Sequence, residues 1–289
     1  MAKKRRNVTV VIPAKNEGQT LPGLLAEIRS RFPHFHILVI DDGSGDDTAT
    51  ICRDHGVEVV SLPYSVGNGG AVKAGVRQVK SDILVLMDAD GQHAPADIPK
   101  LLERLDQGYD MAIGARDWDS QANFGRAVAN SIYNRLAGWL VGQPVADLTS
   151  GFRAVKSDKI REFLYLFPNG FSYPTTVTMA FFRAGYSIAY VPITTLRRVN
   201  ASHIQPFRDG VRFLLIIFRV GTLYSPLKIF FPLGIAFFCT GMGYYLYTFL
   251  VHHRFTNMGV LLIITGILVF LIGLVSEQIT NLLYSREKQ

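Results

Sequence analysis

The stretch 83-ILVLMDADGQH-93 decides how the fold is read. Ile83 to Met87 show no polar alternation, as expected of a strand buried on both faces of a parallel sheet. Two carboxylates one residue apart, Asp88 and Asp90, follow at once. Ligands of open α/β sheets bind at the carboxyl ends of the strands. A D-x-D placed there points both carboxylates into the crevice, where hard oxygen ligands suit Mg²⁺ or Mn²⁺ bridging a diphosphate and Gln92 adds a neutral oxygen. Without its context the pattern reads as a solvated loop with helix caps; the all-apolar strand before it reverses that preference.

Outward from this strand the first 115 residues alternate two periodicities. Val8–Ile12, His36–Ile40, Val57–Ser61, Ile83–Met87 and Met111–Gly114 read as strands, and Thr20–Phe32, Thr48–His55, Gly70–Val79 and Pro95–Gln107 as helices opened by polar, Gly or Pro signals. The βαβ order implies an α/β domain with a mainly parallel sheet. Its strand ends carry "PAKNE", "DDGSGDD" and "DADGQH". In the second of these, Asp46, Asp47 and Thr48 suit a helix cap, which leaves Asp41 and Asp42 for ligand. "GNGGAVKAG" (Gly67–Gly75) opens a helix with glycines that permit close backbone approach, but it is neither G-x-G-x-x-G nor a P-loop, which counts against a dinucleotide enzyme or a kinase. Further on, Phe124–Val141 reads as a helix, "DLTSGFRAV" (147–155) is irregular, short helices lie around Lys159 and Thr176, and Ser187–Ile193 is the last strand.

Beyond Pro206 the composition changes. Ile229–Val251 and Phe255–Ser276 are 23 and 22 residues without a charge, each long enough to cross a hydrocarbon core about 30 Å thick. Three parts are therefore expected: residues 1–205 as the α/β domain, 206–226 as an interfacial amphipathic segment, and 227–289 as a transmembrane hairpin with spans near 229–251 and 256–278. In the middle part, Arg208, Arg212 and Arg219 fall within about 40° of one another on a helical wheel, which suits a helix lying among lipid headgroups. Arg219, Lys228, Arg286 and Lys288 gather at the open ends of the hairpin, so the positive-inside bias puts the soluble domain and both termini in the cytosol. Residues 1–205 hold 23 Lys/Arg against 20 Asp/Glu and residues 206–289 hold 7 against 3, together the net +7. The cluster Lys3-Lys4-Arg5-Arg6 suits nucleic acid or an anionic membrane surface. The membrane segments favour the surface, and no nucleic-acid partner is expected. Two cysteines, Cys52 and Cys239, support neither a disulfide framework nor a cysteine metal site.

"VVIPAKNE", "DDGSGDDT", "GNGGA" and "DADGQH", in this order and spacing, resemble family 2 glycosyltransferases of the GT-A fold. The continuation "GAR" (114–116), "DLTSGFRAV" and "RRVNASH" (197–203), followed by a membrane hairpin, resembles the branch typified by dolichyl-phosphate mannose synthase and bacterial polyprenyl-phosphate glycosyltransferases, over nearly the whole chain. The resemblance implies a nucleotide-sugar donor (UDP- or GDP-hexose) held by Pro13, Ala14, Glu17, Asp42, Asn68, Asp88 and Asp90, a metal held by Asp88, Asp90 and Gln92, and an undecaprenyl or dolichyl phosphate acceptor. It implies inversion at the anomeric carbon. Two departures from the family pattern stand out: Asn68 where Lys is frequent, and Asn200 and His203 in place of Gly and Lys in the late motif.

A lipid phosphate is already an anion at neutral pH, so its transfer needs no strong general base; it needs cations that hold one anion beside another. Arg116, Arg126, Arg197 and His203 are the candidates, with Asn130, Ser131 and Ser202 as neutral hydrogen-bonding groups, and Asp90 and Arg126 as the pair expected to act in catalysis. Asp147 has no assigned role: it orients sugar, serves as base for a hydroxyl acceptor, or ties down the following turn. Two other readings stay open, a transferase elongating a glycan on a hydroxyl and a non-catalytic membrane adaptor. Gly241, Gly243 and Gly266 leave room for a homo-oligomer.

Overall fold

The computed structural model describes residues 6–116, 124–170, 172–195, 218, 221–223, 225–254 and 256–285. The chain divides into two compact units, 1–138 with 143–205, and 139–142 with 206–289.

The first unit is built on seven strands: β1 (Val8–Ala14), β2 (His36–Asp41), β3 (Glu58–Ser61), β4 (Ile83–Leu86), β5 (Met111–Arg116), β6 (Arg153–Lys156) and β7 (Ile188–Ile193). They lie in the order β3-β2-β1-β4-β6-β5-β7. The pairs β1/β2, β1/β4, β2/β3 and β5/β7 are parallel, and β6 runs antiparallel to both β4 and β5. The expected mainly parallel sheet is therefore present with one inserted strand. Four residues, R-A-V-K, are too few to show a period, so β6 was hidden in the irregular stretch after Asp147. β1, β4 and most of β2 are wholly buried, as their continuous apolar runs require. The covering helices are α1 (Leu21–Arg31), α2 (Thr48–Asp54), α3 (Asn68–Gln78), α4 (Ile98–Asp106), α5 (Phe124–Val141), α6 (Ser157–Arg161) and α7 (Tyr173–Ala184).

The second unit contains α8 (Pro226–His252) and α9 (Asn257–Ser285), packed as a hairpin. At 1.5 Å per residue the 27 residues of α8 run about 40 Å, more than the hydrocarbon thickness. Only 11% and 17% of the most apolar windows of the two helices are buried, whereas core helices of a soluble protein would be mostly buried. The two helices are long and apolar enough to span a membrane. Their contact runs over glycines: a Cβ on Gly234 would meet Gly266 O at 2.9 Å and one on Gly241 would meet Ile263 N at 2.8 Å. At the base of the hairpin, Leu227 N donates to Glu277 (3.3 Å) and Lys228 Nζ donates to the Leu140 carbonyl (2.8 Å).

Candidate active site

The carboxyl ends of β1, β2 and β4 converge where the strand order reverses. Three motifs are stitched together there. Asn16, in the left-handed region (φ 56°), donates its N–H to Ser44 Oγ and accepts from Gly45 N, both at 2.9 Å. Glu17 N donates to Thr48 Oγ1 (3.0 Å), and the Glu17 carboxylate accepts from the Thr20 hydroxyl (2.8 Å). Asp46 accepts from Thr48 N and Gly18 N, so it serves the turn into α2 as expected from the cap reading. Pro13 and Ala14 are buried at the end of β1. Asp41 and Asp42, expected to face ligand, are both buried, and their recorded bonds turn inward: Asp41 accepts from Ser44 N, and Asp42 accepts from the Ser65 hydroxyl (2.8 Å), Val66 N (2.6 Å) and Gly67 N (3.0 Å).

The glycines of the GNGGA motif serve a purpose that its spacing did not indicate. Gly69 N donates to Gly170 O (3.2 Å) and Gly70 N to Asn169 O (2.8 Å), and a Cβ on Gly67 or Gly69 would collide with the 168–170 backbone. Close backbone approach is required, but by a segment of the same chain, which occupies the first N–H groups of α3. Lys73, which binds Phe167 O (3.2 Å) and the Asn169 side chain, fastens the same segment. The clamp leaves Asn68 exposed at the start of α3, where its amide hydrogen-bonds Asp88.

Asp88, Asp90 and Gln92 follow β4 in a tight turn with Gly91 at φ 72° and Gln92 N donating to Asp90 (3.1 Å). Burial pushes the Asp88 carboxyl up; His93, the Asn68 amide and Arg153 oppose that shift, while the like charge of Asp90 adds to it. Gly151 packs directly on the Asp88 carboxylate, so no side chain fits there. His93 is 6% exposed and stacked on Phe152 (centroids 5.1 Å apart, 17° between planes), and its Nδ1 has no hydrogen-bond partner among the described residues. Burial holds this imidazole below its usual range, against the pull of Asp88 and Asp90.

On the far side of β4, Arg116 ends β5 and forms a two-pronged pair with Asp147: Nε to Oδ2 at 2.8 Å and Nη2 to Oδ1 at 3.0 Å. Asp147 also accepts from Arg116 N, Thr149 N, Thr149 Oγ1 and Ser150 N. Burial alone would raise its pKa, but the Arg116 guanidinium and the backbone N–H groups together hold it below the usual carboxylate range. Arg116 is raised in turn: burial favours its neutral form, and the bonds to Asp147 override that. Arg153 is fully buried and bonds to Ser150 O, Pro174 O (3.2 Å) and Thr178 Oγ1 (3.3 Å), all neutral acceptors. Asn130 and Ser131 lie half-buried on α5. The Arg126 side chain, Arg197, Ser202 and His203 lie outside the described residues. His93, Gly151 and Arg153 were not singled out from sequence, although they belong to the quoted "DADGQH" and "SGFR".

A divalent cation fits the pair of carboxylates. The mutual repulsion of Asp88 and Asp90 is offset by positive charge, and Asp88, Asp90 and Gln92 offer only hard oxygens. Among the described residues no three His, Cys, Asp or Glu side chains converge as a complete metal cage; an ion bound by one or two carboxylates and completed by substrate phosphates needs none. Thiol chemistry has no support, since burial pushes the Cys52 thiol to about 11.

Comparison with known proteins yields consistent findings. The family described as Glycosyl transferase family 2 matches residues 9–164, and the GtrB C-terminal hairpin matches residues 225–282. Glycosyltransferase AglJ of Haloferax volcanii is 29% identical over 95% of this chain and 94% of its own length. The polyprenol monophosphomannose synthase of Mycolicibacterium smegmatis is 32% identical, over 65% of this chain and 77% of its own. Among solved structures, glucosyl-3-phosphoglycerate synthase of Mycobacterium tuberculosis, in complex with Mn²⁺ and UDP-glucose, superposes with a TM-score of 0.60 and 25% identity over 75% of this chain and 78% of that one.

Proposed function

The chain belongs to glycosyl transferase family 2, and from that premise we propose that it transfers a single hexose-type sugar from a UDP- or GDP-sugar to a polyprenyl phosphate at the cytosolic leaflet, with inversion. The observation that carries the acceptor class is the state of Asp147. A general base needs a free lone pair and a pKa near the working pH. The bonds of Asp147 to Arg116, Thr149 and Ser150 consume its lone pairs, and its pKa lies below the usual range. That suits an acceptor already ionised, and it counts against a hydroxyl acceptor. Two relatives, one named polyprenol monophosphomannose synthase and one undecaprenyl-phosphate mannosyltransferase, together with the hairpin match, support the same acceptor.

In this reading Arg116 presents a guanidinium whose orientation is set by Asp147, and it holds the acceptor phosphate beside the donor. Arg126, Arg197 and His203, with Asn130, Ser131 and Ser202, complete the acceptor's hydrogen bonds. Pro13, Ala14, Glu17 and Asn68 hold the nucleoside end of the donor, and Asp42 serves it through the loop 65–67 that its carboxylate fastens. Asp88, Asp90 and Gln92 would hold Mg²⁺ or Mn²⁺, which when bound offsets negative charge on the departing nucleoside diphosphate. The basic residues Arg219, Lys228, Arg286 and Lys288 support the cytosolic side through the positive-inside bias.

The test is direct. Purified full-length protein is incubated with labelled UDP- and GDP-sugars and undecaprenyl phosphate, with Mn²⁺ or with EDTA. Metal-dependent label in the lipid phase is expected with at least one donor. Absence of label with every donor sinks the function, and label that persists in EDTA sinks the metal role.

A further inference from the structure

Asp42 is 4% exposed, and the three hydrogen bonds that its carboxylate accepts all come from the loop 65–67. Lys15 Nζ reaches the same loop through Ser65 Oγ (2.9 Å), and Leu62 N donates to Asp41 O (2.9 Å). Gly43, at φ 63°, lies so close beneath that a Cβ would stand 2.8 Å from both the Tyr64 carbonyl carbon and Ser65 N. Residues from "PAKNE" and "DDGS" thus converge on the backbone of Tyr64 and its neighbours. The side chain so fixed is, among the described residues, the most exposed of the large hydrophobics, at 69%. Among the described residues no hydrogen bond or ring contact involves it.

Immobilising a backbone in order to hold an aromatic ring in water has no stability rationale; it suits a ring whose partner is a ligand. Tyr64 follows β3, at the carboxyl edge of the β1–β2–β3 half of the sheet, across β1 from Asp88 and Asp90. A donor whose diphosphate lies at β4 and whose nucleoside runs toward β2 brings its base to this edge.

We propose that the Tyr64 ring is the stacking platform for the donor's nucleobase, and that Asp42 contributes chiefly by holding the loop which carries it. The proposal rests on the nucleotide-sugar reading above. A flat, uncharged ring stacks on uracil or guanine through the π-face alone; discrimination between bases then falls to groups at their edges.

Calorimetric titration of the full-length protein in detergent with UDP, GDP and inorganic pyrophosphate, each with Mn²⁺, separates the outcomes. In Tyr64→Ala, affinity for whichever nucleoside diphosphate the wild type binds is expected to fall about tenfold or more, with pyrophosphate affinity unchanged. Tyr64→Phe should bind both like the wild type. In turnover, Tyr64→Ala should raise the donor KM and leave kcat within about twofold, because the base is remote from the reacting carbon. The idea fails if Tyr64→Ala binds nucleoside diphosphate like the wild type. It also fails if pyrophosphate affinity falls in parallel, since the loop would then merely be structural. A wild type that binds pyrophosphate but neither nucleoside diphosphate overturns the donor reading, and this proposal with it.

Discussion

The two halves of the sheet treat their polar groups differently. Between β1 and β3, the buried carboxylates Asp41 and Asp42 are engaged by N–H and hydroxyl groups of neighbouring loops. From β4 to β7 the pattern is mixed: Asp147 is bonded as fully as they are, but other buried polar groups are not. All five buried side-chain atoms without a hydrogen-bond partner among the described residues, His93 Nδ1, Ser150 Oγ, Arg153 Nε, Ser157 Oγ and Tyr190 Oη, belong to that half. Asp88 is raised there, and among the described residues the buried Arg153 is bonded to neutral acceptors. Buried polar groups are normally paired, and exceptions ask for a reason. One half is a finished scaffold; the other carries the electrostatic strain expected where charges must be brought together and transferred.

The largest effect should come from removing the charge that the strained half is built to hold. Asp90→Asn is expected to lower sugar transfer by about 10²–10³-fold or more, in the range of other electrostatic deletions at reacting centres. Mn²⁺ affinity measured by electron paramagnetic resonance on the same protein should fall with it. Unchanged transfer would remove Asp90 from the site.

Next is the Arg116 anchor. Asp147→Ala frees the guanidinium, and a misplacement of about 1 Å is worth on the order of 10²-fold in rate. The loss should appear in kcat/KM for the lipid phosphate without a new ionisation in the pH–rate profile. A base-like limb that vanishes in the variant would instead make Asp147 a proton acceptor and revive a hydroxyl acceptor.

The contrast between the halves also explains what was legible in the sequence. Strands β1, β2 and β4 are nearly continuous apolar runs followed by polar motifs, so they and the position of the candidate site could be read directly. The site's place at the strand ends required only "DADGQH" and its preceding run. What escaped depends on contacts between distant segments. β6 is four residues in an antiparallel slot that no local period announces. The pairing of Arg116 with Asp147 joins residues 31 apart, and the clamp on α3 comes from residues 168–170, about a hundred positions later. A glycine motif indicates that something comes close; it does not say whether that is a phosphate or the chain itself.

A smaller effect tests the packing of the strained half. A Cβ at Gly151 collides with the Asp88 carboxylate, whereas one at Gly45, in the scaffold half, meets nothing within 4 Å. Gly151→Ala should cost about 1–3 kcal/mol of stability, typical of overpacking, and weaken Mn²⁺ binding; Gly45→Ala should do neither. Equal behaviour of the two in thermal melts and metal titrations would remove the contrast.

The smallest effect is read as stability against pH. The folded-state pKa of Asp147 lies below its unfolded value, so its ionisation stabilises the native protein above the unfolded pKa, and that contribution is lost as pH falls through the folded one. Asp147→Asn keeps the shape but not the charge. Its melting temperature should therefore lie below that of the wild type near neutrality, and the gap should close progressively as pH drops into the acidic range. Asp88 runs the other way: its raised pKa means that ionisation opposes folding, so Asp88→Asn should gain relative to the wild type as pH rises. Opposite slopes for two aspartates on either side of one strand are what this electrostatic arrangement demands. Parallel slopes would mean that Asp88 and Asp147, both within the β4–β7 half, do not differ in the electrostatic strain they carry.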